Sequence, residues 1–190
     1  MREKDRMLAG ELYDPEDEEL RQDRKRAKKL CFQFNHTAPD QQEARQEILQ
    51  QLFQTKRECH IEPSFYCDYG YNIEFGDKFY VNHNCVFLDV NRIIIGHNVM
   101  LGPAVQIYTA SHPREASRRN SGLELGFPIE IGSNVWLGGG VIITPGVTIG
   151  EDSVIGAGSV VNSDIPAEVV AVGNPARVIR EASSESWEQQ

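Results

Sequence analysis

The stretch that decides the fold is IGSNVWLGGGVIITPGVTIGEDSVIGAGSVV, residues 131–161. An aliphatic side chain recurs in it at every sixth position, and the residue that follows each aliphatic is usually small. The series consists of Ile131, Leu137, Ile143, Ile149, Ile155 and Val161. A second small or branched side chain comes four residues after each of these. A period of six matches neither the helical period of about 3.6 nor the strand period of about 2, and it is typical of a parallel β-helix built as a prism.

The same pattern continues upstream with two shifts of phase, from residue 73 to 75 and from residue 93 to 95, which predict irregular or bulged coils there. About three hexapeptides form one coil, so residues 61–180 predict roughly five to six coils. Stacked strands lie about 4.8 Å apart, which makes the prism roughly 25 Å tall. We expect the aliphatic side chains to point inward and the small residues to lie at the corners.

One long interruption separates Ile107 from Ile131, which keep the repeat register although they stand 24 positions apart. The intervening residues 113–127, PREASRRNSGLELGF, are polar and charged, so they predict a loop extruded from a corner. Because the register continues across it, we expect the prism to close without this loop at little cost. Its Glu124 is a candidate to face a bound ligand, and His112 stands immediately before it.

The sequence predicts a helical segment over residues 1–58, a β-helix with the extruded loop over 59–180, and a polar tail over 181–190. Asp14 is the predicted N-cap of a long helix, and Thr37 with Asp40 is the predicted capping pair of a second helix over about 39–55. The long helix carries its cations on the solvent side. Its apolar stripe consists of Leu20, Ala27, Leu30, Cys31 and Phe34.

Composition limits the class of protein. A net charge of −9 argues against nucleic-acid binding. No apolar stretch reaches the roughly 20 residues that span a bilayer, and the N-terminus lacks a signal-peptide core, so we expect a cytoplasmic protein. The four cysteines show no CxxC pairing, which favours buried thiols over disulfides or a zinc site.

Two polar positions are candidates for catalysis. His112 is placed to act as a general base, although a surface histidine in a turn before Pro113 is the alternative. Asn82 lies in an Asn-His-Asn cluster inside the repeat, where an amide can orient a base or donate to a developing oxyanion. The alternative is a corner in which asparagines tolerate left-handed backbone angles. The chain has no G-x-S-x-G elbow and no P-loop.

Several motifs occur together in one family. They are Met7-Leu-Ala-Gly-Glu-Leu-Tyr13, Phe34-Asn-His36, Tyr69-Gly-Tyr-Asn-Ile73, Phe79-Tyr-Val-Asn-His-Asn84, Leu88-Asp89, Tyr108-Thr-Ala-Ser-His-Pro113, Asn134-Val-Trp136 and Gly173-Asn-Pro-Ala176. Over residues 1–180 the chain resembles the maltose/galactoside O-acetyltransferases, also called sugar or nodulation-type acetyltransferases. The repeat alone would indicate only the wider hexapeptide acyltransferases.

The resemblance implies a left-handed β-helix and a homotrimer, with acetyl-CoA in the groove between neighbouring prisms and a sugar such as maltose or glucose as acceptor. It implies that His112 takes the proton from the sugar hydroxyl, that Asn82 steadies the reacting groups and that no metal is needed. The acceptor-side positions that it implies are Asp14, Arg24, Asp68, Tyr80, Asn82 and Asp89. The coenzyme-side positions are Gly102, Trp136, Gly139, Ala157, Asn162, Ser163, Arg177 and Arg180.

This chain departs from the galactoside branch, which has a serine at Gly139, a Thr-Lys pair at Asn162-Ser163 and a second aspartate at Val90. The acceptor therefore stays open, and an amine or an antibiotic hydroxyl is a further possibility. A carbonic-anhydrase-like zinc prism is a rival that requires close histidines, whereas His83, His97 and His112 are 14 and 15 residues apart. A non-catalytic scaffold is a third reading.

Overall fold

A parallel β-helix forms the body of the computed structural model, which describes residues 1–182. Of the predicted polar tail, only Glu181 and Ala182 fall in this range, and the rest lies outside the described residues. The strands are numbered in chain order. They form three stacked sheets that the chain visits in a fixed sequence, which confirms the predicted β-helix.

Three sheets form the faces of the prism within residues 1–182. Face 1 has the spatial order β1 (His60–Ile61), β4 (Tyr80–Val81), β7 (Met100–Leu101), β12 (Trp136–Leu137), β15 (Val154–Ile155), β17 (Val169–Gly173) and β18 (Ala176–Glu181). Face 2 contains β2 (Phe65–Cys67), β5 (Cys85–Leu88), β8 (Gln106–Tyr108), β13 (Ile142–Ile143) and β16 (Val160–Val161). Face 3 contains β3 (Ile73–Phe75), β6 (Ile93–Ile95), β11 (Ile129–Ile131) and β14 (Thr148–Ile149). All neighbours are parallel except β17 and β18.

Each coil crosses face 1, then face 2, then face 3, and the described residues complete about six coils. We call the bend between faces 1 and 2 the first corner and the bend between faces 2 and 3 the second corner. The bend from face 3 back to face 1 is the third corner. These names locate the candidate site below.

The six aliphatic residues of the opening stretch are all buried, as are the side chains four positions after each of them. The shifts of phase produce no bulge. Instead, β3 and β6 each point two side chains inward and pair in register, Ile73 with Ile93 and Phe75 with Ile95. The predicted irregular coils are therefore wrong, because a three-residue strand absorbs the two-residue shift.

The small corner residues are required by the approach of the next coil. A Cβ added to Gly132 at the third corner would lie 2.4 Å from the backbone nitrogen of Glu151. Other corner positions turn through left-handed backbone angles, with φ of 63° at Asn84 and 58° at Ala104. Close stacking and left-handed turns are thus two separate demands on corner residues.

The chain before the prism forms α1 (Glu3–Leu8), α2 (Glu18–His36) and α3 (Gln42–Phe53). The apolar stripe of α2 is confirmed, because the five predicted residues are its buried ones. The predicted caps are wrong. Asp17 caps α2 by accepting from the backbone of Glu19 and Leu20, and α3 begins after Gln41 without a side-chain cap. Pro15 occupies a turn before α2, and Thr37 is the C-cap of α2.

The excursion between β8 and β11 has structure of its own. It contains β9 (Ala110–Ser111), the short helix α4 (Ala116–Arg119) and β10 (Leu125–Gly126), and β10 returns antiparallel to β9. Its base joins a second, smaller core next to the second corner. That core consists of Met7, Tyr13, Leu20, Tyr69 and Val90. The N-terminal segment and the excursion are therefore packed against the same corner.

Candidate active site

The Asp89 carboxylate holds a turn at the second corner. Asp89 is fully buried, and its two oxygens accept backbone N–H bonds from Asp68 at 2.9 Å, Tyr69 at 2.9 Å and Gly70 at 2.7 Å. Burial, with the nearby Asp68 carboxylate, raises the pKa of Asp89 to about 7 against the opposing effect of these donors. Asp89 thus supports the backbone that carries Asp68, and its own contact with an acceptor stays a prediction.

Asp68 places a second carboxylate at this corner, and the side chain is only partly exposed. Burial raises the pKa of Asp68, and the Glu124 carboxylate acts in the same direction, whereas Arg24 and Lys28 oppose the shift. No donor among the described residues forms a hydrogen bond to the Asp68 carboxylate. Asp68, Glu124 and Arg24, which the sequence predicts on the acceptor side, therefore lie within electrostatic reach of one another.

Arg24 joins α2 to the same corner. Its Nη1 donates to the Tyr69 hydroxyl at 3.0 Å, and its Nη2 donates to the Pro15 carbonyl at 2.6 Å and pairs with Glu16 at 3.4 Å. Asp14 stands just before this turn, and its carboxylate accepts from the Glu16 backbone at 2.9 Å. The turn ahead of α2 is therefore ordered by polar contacts on both sides of Pro15.

His112 follows β9 directly and is exposed, at the point where the excursion leaves the paired strands. Glu124 stands on the returning side, just before β10, and is partly buried. The Glu124 carboxylate accepts a hydrogen bond from the Tyr13 hydroxyl at 2.9 Å. The pairing of β9 with β10 thus places both ends of the excursion at the second corner.

Asn82 lies at the first corner instead. Its backbone nitrogen donates to the Leu101 carbonyl at 3.0 Å, and its side-chain oxygen accepts from the His83 backbone at 2.7 Å. Asn84 takes the left-handed angle of this corner, so the corner interpretation applies to Asn84 and not to Asn82. Tyr80 precedes them on face 1 and stacks on His60 with ring centroids 5.1 Å apart.

The predicted coenzyme positions fall in three places. Gly102, Gly139 and Ala157 stack at the first corner, where the Gly140 backbone donates to the Pro103 carbonyl at 2.8 Å and the Gly158 backbone to the Gly139 carbonyl at 2.9 Å. Trp136 is 43% exposed on the neighbouring face 1. Asn162 and Ser163 lie at the second corner, and Arg177 and Arg180 lie on β18.

One chain therefore divides the predicted site between two corners. Asp14, Arg24, Asp68, Asp89, Glu124 and His112 lie at or against the second corner, as do Asn162 and Ser163. Tyr80, Asn82, Gly102, Gly139 and Ala157 lie at or beside the first corner, with face 2 between the groups. The structure brings the acceptor-side carboxylates together, but it places Asn82 and His112 on different edges of face 2.

Sequence reasoning missed the roles of Tyr13 and Asn91. Tyr13 was only part of a recognised motif, yet its hydroxyl contacts Glu124. Asn91 is buried, and its side-chain nitrogen donates to the carbonyls of Met7, Leu8 and Gly126. A tyrosine next to a strongly charged stretch was the available signal, whereas nothing local marks Asn91.

Among residues 1–182, no group of histidine, cysteine and acidic side chains is arranged to hold a metal ion. In the same range, none of the helices is long and apolar enough to cross a membrane.

The fold and site define a hexapeptide-repeat transferase. Residues 6–56 match the maltose acetyltransferase hexapeptide capping motif, and residues 128–163 match the bacterial transferase hexapeptide family. A solved maltose O-acetyltransferase from Clostridium difficile is 55% identical with a TM-score of 0.94, covering 97% of this chain and 99% of its own. A galactoside acetyltransferase solved with coenzyme A is 43% identical with a TM-score of 0.90, over 96% of this chain and 92% of its own.

Among curated relatives, nodulation protein L of Rhizobium meliloti is 47% identical over 93% of this chain and 97% of its own length. The chain belongs to the maltose/galactoside O-acetyltransferase family, and it is an acetyltransferase of that type. The recognition made from the motifs is thereby confirmed.

Proposed function

We propose that the protein transfers an acetyl group from acetyl-CoA to a hydroxyl of a sugar such as maltose or glucose. The observation that carries this proposal is the likeness, at 55% identity over 97% of the chain, to a protein solved as a maltose O-acetyltransferase. The carboxylates gathered at the second corner agree with it, because carboxylate oxygens accept hydrogen bonds from sugar hydroxyls. His112 lies at the same corner.

In the proposed reaction, the His112 imidazole removes the proton from the acceptor hydroxyl as that oxygen attacks the thioester carbon. The Asn82 amide donates to the acyl oxygen as negative charge develops there. The carbon–sulfur bond then breaks, and the imidazolium returns its proton to the leaving thiolate. The products are the acetylated sugar and free coenzyme A, and no nucleophilic serine or cysteine takes part. The buried position of all four cysteines is consistent with this direct transfer.

The first corner suits the coenzyme, which would supply the activated acetyl group. Gly102 and the three glycines at 138–140 carry no side chain at this edge, so a long ligand can approach the backbone closely. Arg177 and Arg180 lie on β18 at one end of face 1 and suit phosphate groups.

We infer that the site is completed between subunits of a homotrimer. Asn82 and His112 lie at different corners, so a neighbour that sets its first corner against the second corner of this chain brings them together. Faces 1 and 2 also carry exposed apolar side chains, with Met100 and Tyr66 each 52% exposed. A contact between two different patches repeats head to tail, and a rotation of about 120° per subunit closes it into a ring of three prisms. Sedimentation that shows a fully active monomer of 21.4 kDa would contradict this inference.

The decisive experiment offers a panel of sugars and amines to the protein with acetyl-CoA and measures the release of free thiol. We expect turnover with sugars, and turnover with amines alone would overturn the proposed acceptor class.

Changing His112 to alanine is expected to lower kcat by about 10²- to 10⁴-fold while acetyl-CoA still binds.

The matched control is His97→Ala, which removes an exposed histidine at the third corner and should leave turnover near that of the parent. Near-parental turnover of the His112 variant would remove the assignment of the base.

A further inference from the structure

Tyr13 and Glu124 tie the N-terminal segment to the returning arm of the excursion. The Tyr13 backbone nitrogen donates to the Glu124 carbonyl at 3.0 Å, and the Glu124 nitrogen donates to the Tyr13 carbonyl at 3.1 Å. The Tyr13 hydroxyl donates to Oε2 of the Glu124 carboxylate at 2.9 Å. Three hydrogen bonds therefore fix both the backbone and one carboxylate oxygen of Glu124.

We call the hydrogen-bonded pairing of Tyr13 with Glu124 the strap. Neighbouring contacts hold the strap in place. The Asn91 side chain donates to the Gly126 carbonyl at 3.0 Å and to the Met7 carbonyl at 3.2 Å, so one buried amide joins the arm to α1. An added Cβ at Gly126 would lie 2.4 Å from Cγ2 of Val90, which shows how closely the arm approaches the second corner. The strap is thus anchored to the prism two residues beyond Glu124.

The environment of Tyr13 keeps its hydroxyl a donor. Tyr13 is fully buried in the second core, and burial together with the Glu124 charge raises the pKa of Tyr13 above its usual value. The hydroxyl therefore stays protonated across the working pH range and donates to the carboxylate. The Glu124 carboxylate in turn lies near that of Asp68, because its charge helps to raise the pKa of Asp68.

We propose that Tyr13 is a positioning residue for the acceptor, acting through Glu124. Its hydroxyl occupies Oε2 of Glu124 and so directs the second oxygen, Oε1, toward the space shared with Asp68, where it can accept from a sugar hydroxyl. This assignment rests on the proposed sugar acetyltransferase function. The N-terminal segment thus takes part in acceptor binding through Tyr13, although the acceptor does not touch Tyr13 itself.

The test compares Tyr13→Phe with Tyr71→Phe. Both variants remove a hydroxyl that donates to a carboxylate beside the second core, but the Tyr71 hydroxyl donates to Asp23 on α2 at 2.8 Å. Tyr13→Phe should raise the acceptor KM about 3- to 10-fold, the effect of one misplaced hydrogen bond, with kcat and the acetyl-CoA KM within about 2-fold. Tyr71→Phe should leave all three constants unchanged. An equal acceptor KM in both variants would overturn the proposal.

A double variant separates positioning from general loosening of the fold. If Tyr13 acts through Glu124, Tyr13→Phe should have no further effect on acceptor KM in a Glu124→Ala background. Additive effects would refute the coupling.

Hydrogen exchange over residues 122–126 provides a readout that needs no acceptor, and exchange should be faster in Tyr13→Phe than in Tyr71→Phe. If the parent acetylates no sugar, the proposed function and the acceptor role fall together, and the exchange rates still decide whether the strap exists. Unchanged exchange in Tyr13→Phe would overturn the strap as well.

Discussion

Replacing Gly132 with alanine tests why the corners of the prism carry small residues. The added methyl group would meet the Glu151 nitrogen at 2.4 Å, the Glu151 Cα at 2.7 Å and the Gly150 carbonyl carbon at 2.9 Å. All three are backbone atoms of the next coil, so no side chain can rotate away. Overpacking of this kind costs about 1–3 kcal/mol, and the loss of unfolded-state freedom returns about 0.4–1 kcal/mol. We expect a net loss of up to about 2.5 kcal/mol, toward the upper end because all three clashing atoms belong to the backbone.

Gly158→Ala is the matched control, because it isolates the other demand on a corner. Gly158 has a φ of 72°, and an added Cβ there would meet nothing within 4 Å. The left-handed angle costs alanine about 1–2 kcal/mol, and the same return from the unfolded state leaves roughly 0–1.5 kcal/mol. Ala104 already adopts a φ of 58° at the same corner. We therefore expect Gly158→Ala to be the milder change.

The assay is urea unfolding at one fixed protein concentration, because association into the proposed trimer would make the midpoint depend on concentration. If Gly132→Ala is neutral, or if it costs less than Gly158→Ala, then close stacking of backbones is not the reason for the small residues.

Burial raises the pKa of Asp89 to about 7. The protonated carboxyl group therefore stabilises the fold at low pH, and this contribution is lost as pH rises from about 4 to 7. The cost of Asp89→Asn relative to the parent should therefore shrink between pH 5 and pH 8 in urea titrations, and a growing cost would contradict this. Excising residues 114–122 should leave the melting temperature within about 2 °C, whereas removing residues 113–127 should lower it clearly, since the strap at Glu124 is then lost. A thiol reagent at neutral pH should modify no cysteine in the folded protein and all of them after unfolding, because burial excludes the reagent; fast reaction of the native protein would refute this for Cys31, Cys59, Cys67 and Cys85.

The faces of the prism were predictable because one physical requirement repeats along the chain. Each coil needs an inward aliphatic side chain at the same position, so the same sequence pattern recurs throughout residues 131–161. Helix ends follow no such repetition. Asp14 and Asp17 are both reasonable caps, and the choice of Asp17 depends on the turn that Arg24 and Pro15 form ahead of α2.

The candidate site was predictable as a set of residues but not as an arrangement. Motifs indicated Asp89 as an acceptor position, yet only the fold shows that three backbone donors surround its carboxylate. The low cost expected for losing the whole loop was inferred from unbroken register between Ile107 and Ile131. That expectation is revised, because register describes the inward positions of β8 and β11 and says nothing of the bonds from Asn91 and Tyr13 to the returning arm.

The division between regular and irregular parts of the chain bears on how the acceptor is chosen. The repeats present similar backbone at every coil, so they can form an edge for a long coenzyme but offer little that distinguishes one acceptor from another. Every residue that the motifs predict on the acceptor side at the second corner instead depends on an interruption: the Asp89 turn, the segment ahead of α2, or the excursion after β9. Two of these, the N-terminal segment and the excursion, are joined through Tyr13 and Asn91. Changes in acceptor preference should therefore arise from substitutions in this second core, while the prism remains unaltered.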